Sequence, residues 1–316
     1  MLTVLMATHS RGSILGRTLE SYCDVHPPQH GWELIIVDNA SNDDTRHVIE
    51  SYKARLPIRY CFEPHQGKNF ALNHGVEFVK GELIVFTDDD VFPRKDWLCQ
   101  YERIVQEHPE YDVFGGVTLP RWEAYPPEWV LAWVPLGPTF TLSPPTLKTG
   151  PSAPCYTFGT NYAVRYRVLQ AGYRFDTAIG PKGTNYAMGS ETELIRRLVH
   201  DGFRIWHSSE MVVEHWIEAD KLNKRWVMRR AYRYGRGQYR LSVSKDRSRD
   251  IKWFGVPRYM FRVILVRGCR LLLAKLGRQA KLAFDEEWNL MYSLGAMSEA
   301  WKEADTFQRC DEMQKR

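Results

Sequence analysis

The stretch Leu83-Ile84-Val85-Phe86-Thr87-Asp88-Asp89-Asp90 governs how this chain is organised. Four apolar residues in succession indicate a buried strand. Three carboxylates follow that strand directly, and packing like charges there is costly unless a cation neutralises them. Oxygen ligands suit a hard cation, so the triplet predicts a site for Mg²⁺ or Mn²⁺. The alternative is an acidic turn that faces solvent.

The residues before the triplet repeat a pattern in which a buried strand is followed by a helix. In chain order the predicted elements are strand 2–7, helix 13–22, strand 34–37, helix 43–55, strand 58–62 and helix 69–79. This alternation predicts an α/β fold with a mostly parallel sheet between helical layers. Polar residues concentrate just after the strands, at the sheet edge where ligands bind in open α/β folds.

Two further polar positions lie at the boundaries of these elements. Asp38 ends the second strand and can accept a hydrogen bond from a base, although a helix N-cap is the alternative. Gly67-Lys68-Asn69 opens the helix before the triplet, where a lysine and free backbone N–H groups can face phosphate. The segment lacks the GxxxxGK[ST] pattern of a P-loop.

The charge of the chain is unevenly distributed along its 316 residues. Residues 221–283 contain 19 Lys/Arg and two acidic residues, a formal charge of +17, which leaves −12 for the remainder of a chain of net charge +5. This uneven distribution of charge favours an anionic partner for the C-terminal region. A solvated basic helix face is the alternative.

Cysteine usage and hydropathy suggest a cytosolic protein. The six cysteines are scattered and form no CxxC pair, which argues against a zinc site or a disulfide framework. The N-terminus lacks the basic and long apolar regions of a signal peptide. The longest uncharged stretch near the middle, residues 129–147, contains four prolines, so we expect no transmembrane segment.

Taken in order, several motifs resemble those of family 2 glycosyltransferases with the GT-A fold. The N-terminal ones are Thr8-His9-Ser10-Arg11, Val37-Asp38-Asn39-Ala40-Ser41, Gly67-Lys68-Asn69 and Phe86-Thr87-Asp88-Asp89-Asp90-Val91-Phe92-Pro93. The later ones are Phe158-Gly159-Thr160-Asn161, Gly189-Ser190-Glu191-Thr192-Glu193-Leu194 and Val212-Val213-Glu214-His215. The resemblance extends over about residues 1–240, and its specificity lies in the ordered set.

The resemblance implies a role for each matching residue. The nucleotide-sugar residues would be Thr8, Arg11 and Asp38 at the base, Lys68 at the nucleotide or phosphates, Asp88 at the ribose, and Asp89 in either neighbouring role. The metal ligands would be Asp90 and His215. The general base would be Glu191, although the family usually has Glu-Asp where this chain has Ser190-Glu191. Glu193 is therefore a rival base, and Asn161 and Glu193 would be acceptor-side residues. Apart from the resemblance, the chain is irregular and proline-rich from Gly115 to about Pro154, and we expect an acceptor-side loop at residues 121–147 in which Trp122, Trp129 and Trp133 face the acceptor. The alternative is that these rings pack the loop onto the domain.

The same resemblance implies an inverting transfer by direct displacement. A sugar would pass from a nucleoside-diphosphate sugar, with UDP favoured, to a hydroxyl of a glycan or lipid-linked acceptor in polysaccharide or glycolipid synthesis. The expected organisation is a catalytic domain over 1–220, divided into a nucleotide-sugar half at about 1–115 and an acceptor half at about 116–220. A basic helical region over 221–316 would follow it.

Two other functions compete with this reading. A sugar-nucleotide pyrophosphorylase would have a glycine-rich, arginine-containing loop after the first strand, which Thr8-His9-Ser10-Arg11-Gly12 does not supply. A nucleic-acid-binding protein could use the basic C-terminal region, but no recognised nucleic-acid motif occurs there, and we expect no nucleic-acid partner.

The C-terminal region also suggests contact with a membrane. Apolar clusters at 263–266 and 271–274 are interrupted by arginines, a pattern too charged to span a bilayer but suited to its interface. We therefore expect a cytoplasmic enzyme that is peripheral on the inner face of an anionic membrane. A homodimer interface is the alternative for these helices.

Overall fold

The computed structural model describes residues 1–183, 186–242 and 251–314, with side chains up to residue 304. The chain divides into two compact units. The sheet unit comprises Met1–Ala124, Phe140–Gly183 and Ser190–Glu218. The helical unit comprises Tyr125–Thr139, Thr184–Gly189 and Ala219–Arg316.

Most strands belong to one sheet in the sheet unit, and two short ones form a hairpin in the helical unit. Among the described residues the strands are β1 (Leu2–Thr8), β2 (Trp32–Asp38), β3 (Ile58–Phe62), β4 (Leu83–Asp88), β5 (Val91–Pro93), β6 (Val113–Trp122), β7 (Gly150–Pro151), β8 (Tyr162–Arg165), β9 (Ile205–Ile217), β10 (Lys252–Trp253) and β11 (Val256–Pro257).

The helices lie between the strands in the first part of the chain and follow one another at its end. Among the described residues they are α1 (Gly12–Tyr22), α2 (Thr45–Tyr52), α3 (Lys68–Val76), α4 (Trp97–Glu107), α5 (Glu128–Trp133), α6 (Leu136–Phe140), α7 (Tyr166–Gln170), α8 (Ser190–His200), α9 (Lys224–Leu241), α10 (Arg258–Leu276) and α11 (Ala280–Gln314).

The large sheet has the strand order β3-β2-β1-β4-β8-β6-β9-β5, and β7 pairs with β9. Strands β3, β2, β1 and β4 form a wholly parallel half. Strand β8 runs antiparallel to both β4 and β6, so β6 and its parallel neighbour β9 have the direction of the first half. Six of the nine strands in the described sheet therefore share one direction, which confirms the predicted mostly parallel sheet.

Apolar cores cover both faces of this sheet. On one face, Leu15 and Leu19 of α1 and Trp97 of α4 pack with β1 and β2 residues. On the other face, Leu72 of α3 and Leu194 of α8 pack with the alternate strand residues. Burial of both faces explains why the predicted strands are continuous apolar runs rather than alternating ones.

Close helix packing defines the helical unit. A Cβ atom added at Gly235 of α9 would lie 1.9 Å from the carbonyl oxygen of Tyr292 in α11. A Cβ added at Gly295 of α11 would lie 2.0 Å from the carbonyl oxygen of Tyr232 in α9. The two helices therefore approach backbone to backbone, which requires glycine at both contacts. No helix among the described residues is both long and apolar enough to cross a membrane.

Each strand and helix predicted before residue 90 is present, with ends that differ by a few residues. The irregular region predicted beyond Gly115 is more ordered than expected. Strand β6 continues to Trp122 because it pairs in parallel with β9 as far as Trp122 opposite Ile217. Within the proline-rich stretch, residues 125–139 belong to the helical unit. The predicted boundary at residue 220 and the two predicted halves of the catalytic domain stay predictions.

Candidate active site

The parallel register aligns polar residues at the carboxyl edge of the sheet. Thr8 at the end of β1 is paired with Asp38 at the end of β2, and Ala7 is paired with Asp88 of β4. Neighbouring parallel strands therefore bring residues that are far apart in sequence to one edge, which is the usual ligand edge of such sheets.

Asp89 and Asp90 of the triplet are each only 4% exposed. Asp89 accepts hydrogen bonds from the Thr8 hydroxyl and from Arg11 Nη1, both at 2.7 Å. Arg11 Nη2 donates to Asp90 at 2.9 Å and lies 3.4 Å from Glu218. One guanidinium thus bridges two adjacent buried carboxylates, and that arrangement offsets part of their mutual repulsion.

The titration of this cluster reflects its burial. Desolvation raises the pKa of Asp89 to about 6, and the positive charge of Arg11 opposes that rise. Burial of Arg11 tends to lower its own pKa, but Asp89 and then Asp90 raise it above its usual value. The guanidinium is therefore charged at any physiological pH.

Asp38 and Asn39 shape the loop next to β1. Asp38 is 3% exposed and accepts hydrogen bonds from the Ser41 backbone at 2.9 Å and the Tyr60 hydroxyl at 3.1 Å. Asn39 donates to the carbonyl oxygens of residues 63 and 65 and accepts a 2.7 Å bond from the Gly67 backbone. Sequence analysis missed the role of Asn39, which fixes the loop that leads into Lys68.

Lys68, Asp88 and Glu191 converge beside one small pocket. The Lys68 ammonium forms an ion pair with Asp88, and both Lys68 and Glu191 line the pocket together with Gly159 and Ser190. Burial tends to lower the pKa of Lys68, whereas Asp88 and, after it, Glu191 raise it above its usual value. The Lys68 ammonium thus interacts with two carboxylates. One is Asp88, which the resemblance places at the ribose, and the other is Glu191, the candidate base.

Glu191 and Glu193 have different surroundings on the first turn of α8. Glu191 accepts a 3.1 Å hydrogen bond from the Ser190 hydroxyl and faces Gly159, where an added Cβ would lie 3.0 Å from its carboxyl carbon. Glu193 is instead held by Arg197 through contacts of 2.7 and 2.9 Å. Its carboxylate is therefore committed to an ion pair on its own helix.

His215 faces Asp90 across the pairing of β9 with β5. Its Nδ1 lies 2.7 Å from the Phe140 carbonyl, which can only accept, so Nδ1 carries the proton. In the neutral ring, Nε2 then presents a lone pair 3.5 Å from Asp90 Oδ1. Two acceptors at that distance repel one another unless a proton or a cation lies between them. A ring nitrogen that donates to a backbone carbonyl is also the usual setting of a metal-bound histidine.

These residues fit a divalent cation in part. Asp90 supplies a carboxylate, the donor that suits Mn²⁺ and Mg²⁺, and His215 supplies an imidazole, a donor more typical of softer divalent cations. Within the described part of the chain, no group of three or more His, Cys, Asp or Glu side chains forms a complete ligand set. Any cation held here would therefore take further ligands from a bound diphosphate or from water.

Asn161 requires a correction to its expected acceptor role. Its side chain is completely buried and donates to the carbonyl oxygens of Val117 and Met211. Its side-chain oxygen accepts from the Trp97 indole and the Tyr101 hydroxyl, each at 2.9 Å. All of its side-chain polar atoms form hydrogen bonds inside the core. Asn161 therefore links β6, β9 and α4 rather than contacting an acceptor.

The tryptophans predicted on the acceptor side make packing contacts. Trp122 meets Phe140 edge to face, with ring centroids 5.5 Å apart, in the sheet unit. Trp129 and Trp133 both pack on Phe284 within the helical unit, with centroids 5.8 and 5.9 Å apart. The alternative that these rings pack the loop thus has direct support, and an acceptor role for Trp122 and Trp129 stays a prediction.

Comparison with known proteins identifies the family. The model of glycosyl transferase family 2 matches residues 3–166. The chain belongs to this family. Validoxylamine A glucosyltransferase of Streptomyces hygroscopicus subsp. jinggangensis is 32% identical over 93 residues, which cover 29% of this chain and 22% of that protein. Glucosyl-dolichyl phosphate glucuronosyltransferase of Haloferax volcanii is 21% identical over 212 residues, 64% of this chain and 65% of that protein. The matched region thus spans less than two thirds of either relative.

Solved structures confirm the GT-A fold. The mannosyltransferase PcManGT from Pyrobaculum calidifontis, in complex with GDP-Man and Mn²⁺, has a TM-score of 0.57 at 18% identity, covering 99% of this chain and 79% of that one. TarS 1–349 of S. aureus, in complex with UDP-GlcNAc, has a TM-score of 0.53 at 16% identity, covering 92% of this chain and 90% of that one. The family and fold inferred from the ordered motifs are therefore confirmed.

Proposed function

We propose that this chain is an inverting glycosyltransferase that moves a sugar from a nucleoside-diphosphate sugar to a hydroxyl acceptor. The observation that carries the proposal is a pocket lined by Lys68 and Glu191, with Asp88 paired to Lys68, in a chain of glycosyl transferase family 2. UDP is the favoured nucleotide, and GDP is the main competitor because a structural neighbour binds GDP-Man.

In the proposed reaction the acceptor oxygen attacks C1 of the sugar as the bond from C1 to the diphosphate oxygen breaks. Glu191 takes the hydroxyl proton during that attack, and the nucleoside diphosphate leaves with the bonding electrons. Thr8, Arg11 and Asp38 form the base side of the donor site, and Asp88 takes the ribose. Lys68 faces the phosphates. When a donor binds, the Lys68 ammonium would pair with a phosphate instead of Asp88, so its positive charge would still be neutralised.

Asp90 and His215 would hold the divalent cation, either Mn²⁺ or Mg²⁺, with Asp89 fixing the adjacent backbone and Arg11. When bound, the ion would stabilise negative charge on the diphosphate as a Lewis acid. The support for this assignment is the lone pair of His215 that faces Asp90. PcManGT was solved with Mn²⁺, which favours the same cofactor here.

The proposed acceptor is a glycan or a lipid-linked glycan in polysaccharide or glycolipid synthesis. The relatives include a glucosyl-dolichyl phosphate glucuronosyltransferase and the poly(ribitol-phosphate) β-N-acetylglucosaminyltransferase TarP of Staphylococcus aureus, whose names refer to such acceptors. We place the protein in the cytoplasm because the five described cysteines are free thiols, as is usual in a reducing compartment.

The experiment that tests the function measures donor cleavage by the purified chain. In the first assay UDP-glucose, UDP-GlcNAc and GDP-mannose are supplied with Mn²⁺, and free nucleoside diphosphate is measured. In the second assay a nucleoside triphosphate and a sugar 1-phosphate are supplied with Mn²⁺, and pyrophosphate is measured. We expect metal-dependent release of nucleoside diphosphate from a preferred donor. No release of nucleoside diphosphate in the first assay, together with release of pyrophosphate in the second, would identify a pyrophosphorylase and refute the proposal.

Glu191→Gln tests the assignment of the general base. The change keeps the size of the side chain and removes its basicity, so we expect unchanged UDP affinity and a loss of transfer of about 10²–10⁴-fold. Glu193→Gln is the matched control on the same helical turn. This substitution removes the Glu193 charge and so breaks a partly exposed ion pair with Arg197. Activity should therefore stay near that of the wild type. An inactive Glu193→Gln beside an active Glu191→Gln would reverse the assignment.

A further inference from the structure

Helix α10 has an apolar outer face that no described residue covers. Met260 and Ala274 are buried on its inner side, where α10 packs against α11. On the outer side the exposed fractions are 68% for Leu265, 59% for Leu272, 67% for Leu273 and 72% for Leu276. A helix on the surface of a soluble protein normally turns such residues inward, so this face is unusual.

The β10–β11 hairpin directly precedes α10 and adds two exposed aromatic rings. Phe254 is 82% exposed at a φ of 49°, followed by Gly255 at a φ of 79°. A bulky residue in that left-handed conformation is uncommon, because turns of this type favour Asn or Gly. Trp253 is 51% exposed and lies against Phe261 and Arg258 of α10. We call these two rings and the four leucines the α10 surface.

The α10 surface lies within a wholly cationic stretch. Residues 251–283 contain eight Lys/Arg and no Asp/Glu. Arg262 is exposed. The Arg270 side chain is 60% exposed and lies 3.8 Å from Glu286, which also pairs with Arg267 at 2.9 Å. Exposed apolar and cationic side chains therefore alternate along the same helix, with the arginine stems able to lie over apolar groups.

We propose that the α10 surface docks on an anionic lipid bilayer. The helix would lie in the plane of the interface, with Phe254 and the leucines in the acyl boundary and the arginines at the head groups. Phosphate-bearing head groups complement the positive charge, and the arginines prevent the helix from spanning the bilayer. This inference concerns the helical unit and does not depend on the proposed sugar transfer.

Charge argues against a second copy of the chain as the occupant. A twofold interface places the same patch of each subunit against the other. Two copies of the α10 surface would bring arginines of like charge together, and Glu286, the acidic residue paired with Arg267 and Arg270, lies outside 251–283 and is one carboxylate shared by both. An anionic membrane satisfies both the apolar and the cationic side chains, so the observations favour it.

The test is sedimentation of the full-length chain with phosphatidylcholine vesicles, with and without about 30% phosphatidylglycerol. We expect binding to the anionic vesicles at low salt, and weaker binding as salt is raised. The double variant Leu272→Ser/Leu276→Ser should bind at least about tenfold more weakly, because two exposed apolar side chains no longer leave water. Val199→Ser, an exposed apolar residue of α8, is the matched control and should bind like the wild type.

Charge variants form the second arm of this test. Arg262→Gln/Arg270→Gln should weaken binding about fivefold or more, since each basic residue near an anionic surface adds attraction. Arg94→Gln/Lys95→Gln removes the same charge from exposed residues of the sheet unit and should have little effect. Circular dichroism and nucleotide release then verify that each variant is folded.

Three results would overturn the proposal. These are no sedimentation with anionic vesicles at low salt, equal binding by the wild type and the leucine variant, and a dimer in light scattering that the leucine variant loses. The last result would assign the α10 surface to a second copy of the chain. Vesicle binding is measured without donor or acceptor, so its failure leaves the proposed transfer reaction untouched.

Discussion

Arg11 and Lys68 neutralise different members of the aspartate triplet. Arg11 bridges Asp89 and Asp90, whereas Lys68 pairs with Asp88 on the side of Glu191. Asp88 is the last residue of β4, whereas Asp89 and Asp90 lie in the turn that follows it, which separates these contacts. Three adjacent carboxylates can therefore serve distinct purposes, with Asp89 held in the interior and Asp88 paired with a lysine that lines the pocket.

Asp90→Asn tests the proposed cation site. The change removes the charge that would bind Mn²⁺ but retains the shape of the side chain. We expect UDP affinity in the presence of Mn²⁺ to fall at least about tenfold, the scale typical of a damaged metal site. Calorimetric titration of UDP with and without Mn²⁺ measures the effect. Asp96→Asn changes a half-buried carboxylate just before α4 and should behave like the wild type, and equal affinities for all three proteins would refute the assignment.

His207 makes the fold sensitive to acid. It is fully buried, neither ring nitrogen has a hydrogen-bond partner among the described residues, and burial lowers its pKa to about 4. The unfolded chain has a histidine pKa of about 6.5, so it binds the proton first as pH falls. The free energy of unfolding therefore decreases between about pH 6.5 and about pH 4, by up to about 3 kcal/mol from this residue.

His207→Phe should remove that acid-sensitive contribution. A phenyl ring has a similar shape, cannot be protonated and leaves no polar atom unsatisfied, so stability near neutral pH should be retained. Urea unfolding at about pH 7 and about pH 4.5 should show a smaller loss of stability than in the wild type. His47→Gln changes an exposed histidine and should keep the wild-type difference. An unchanged difference in His207→Phe would contradict the prediction.

At the scale of elements, the contact of α9 with α11 is highly sensitive to added volume. Gly235→Ala would place a methyl group 1.9 Å from a backbone carbonyl oxygen, which a backbone shift alone can relieve. We expect the free energy of unfolding to fall by about 1–3 kcal/mol or more. Urea denaturation measures this change.

Gly268→Ala is the matched control for that prediction. It adds the same methyl group to α10, where nothing lies within 4 Å of the new atom. Higher helix propensity should then raise stability by up to about 1 kcal/mol. Equal effects of the two substitutions would mean that α9 and α11 do not approach as closely as described.

Helix α8 shows why element type and side-chain role differ in predictability. Its acidic first turn and apolar spacing indicate a helix, but they do not distinguish Glu191 from Glu193. The difference arises from tertiary neighbours, since Arg197 occupies Glu193 while Gly159 leaves room for Glu191. Sequence spacing alone could not show that the Glu191 carboxylate packs against Gly159.

At the scale of the whole molecule, the basic region and the aspartate triplet belong to different units. The region 221–283 that carries a formal charge of +17 lies in the helical unit, while the aspartate triplet lies in the sheet unit. An excess of positive charge in the composition indicated an anionic partner but could not indicate a surface. That surface became defined only when the exposure of each α10 leucine was known, because the same apolar clusters also suit a buried helix.

The sequence by itself determined the parallel half of the sheet, the ligand edge and the family. Those features depend on local patterns: apolar runs that must be buried, polar residues that follow them, and motifs in a fixed order. Tertiary structure alone decided that Asn161 is a core residue and that β6 extends to Trp122, because each depends on partners more than 40 residues away. It also decided which carboxylates are held by arginine. Hydrogen-bond and ion-pair partners are chosen by proximity in space, and a linear pattern does not contain that information.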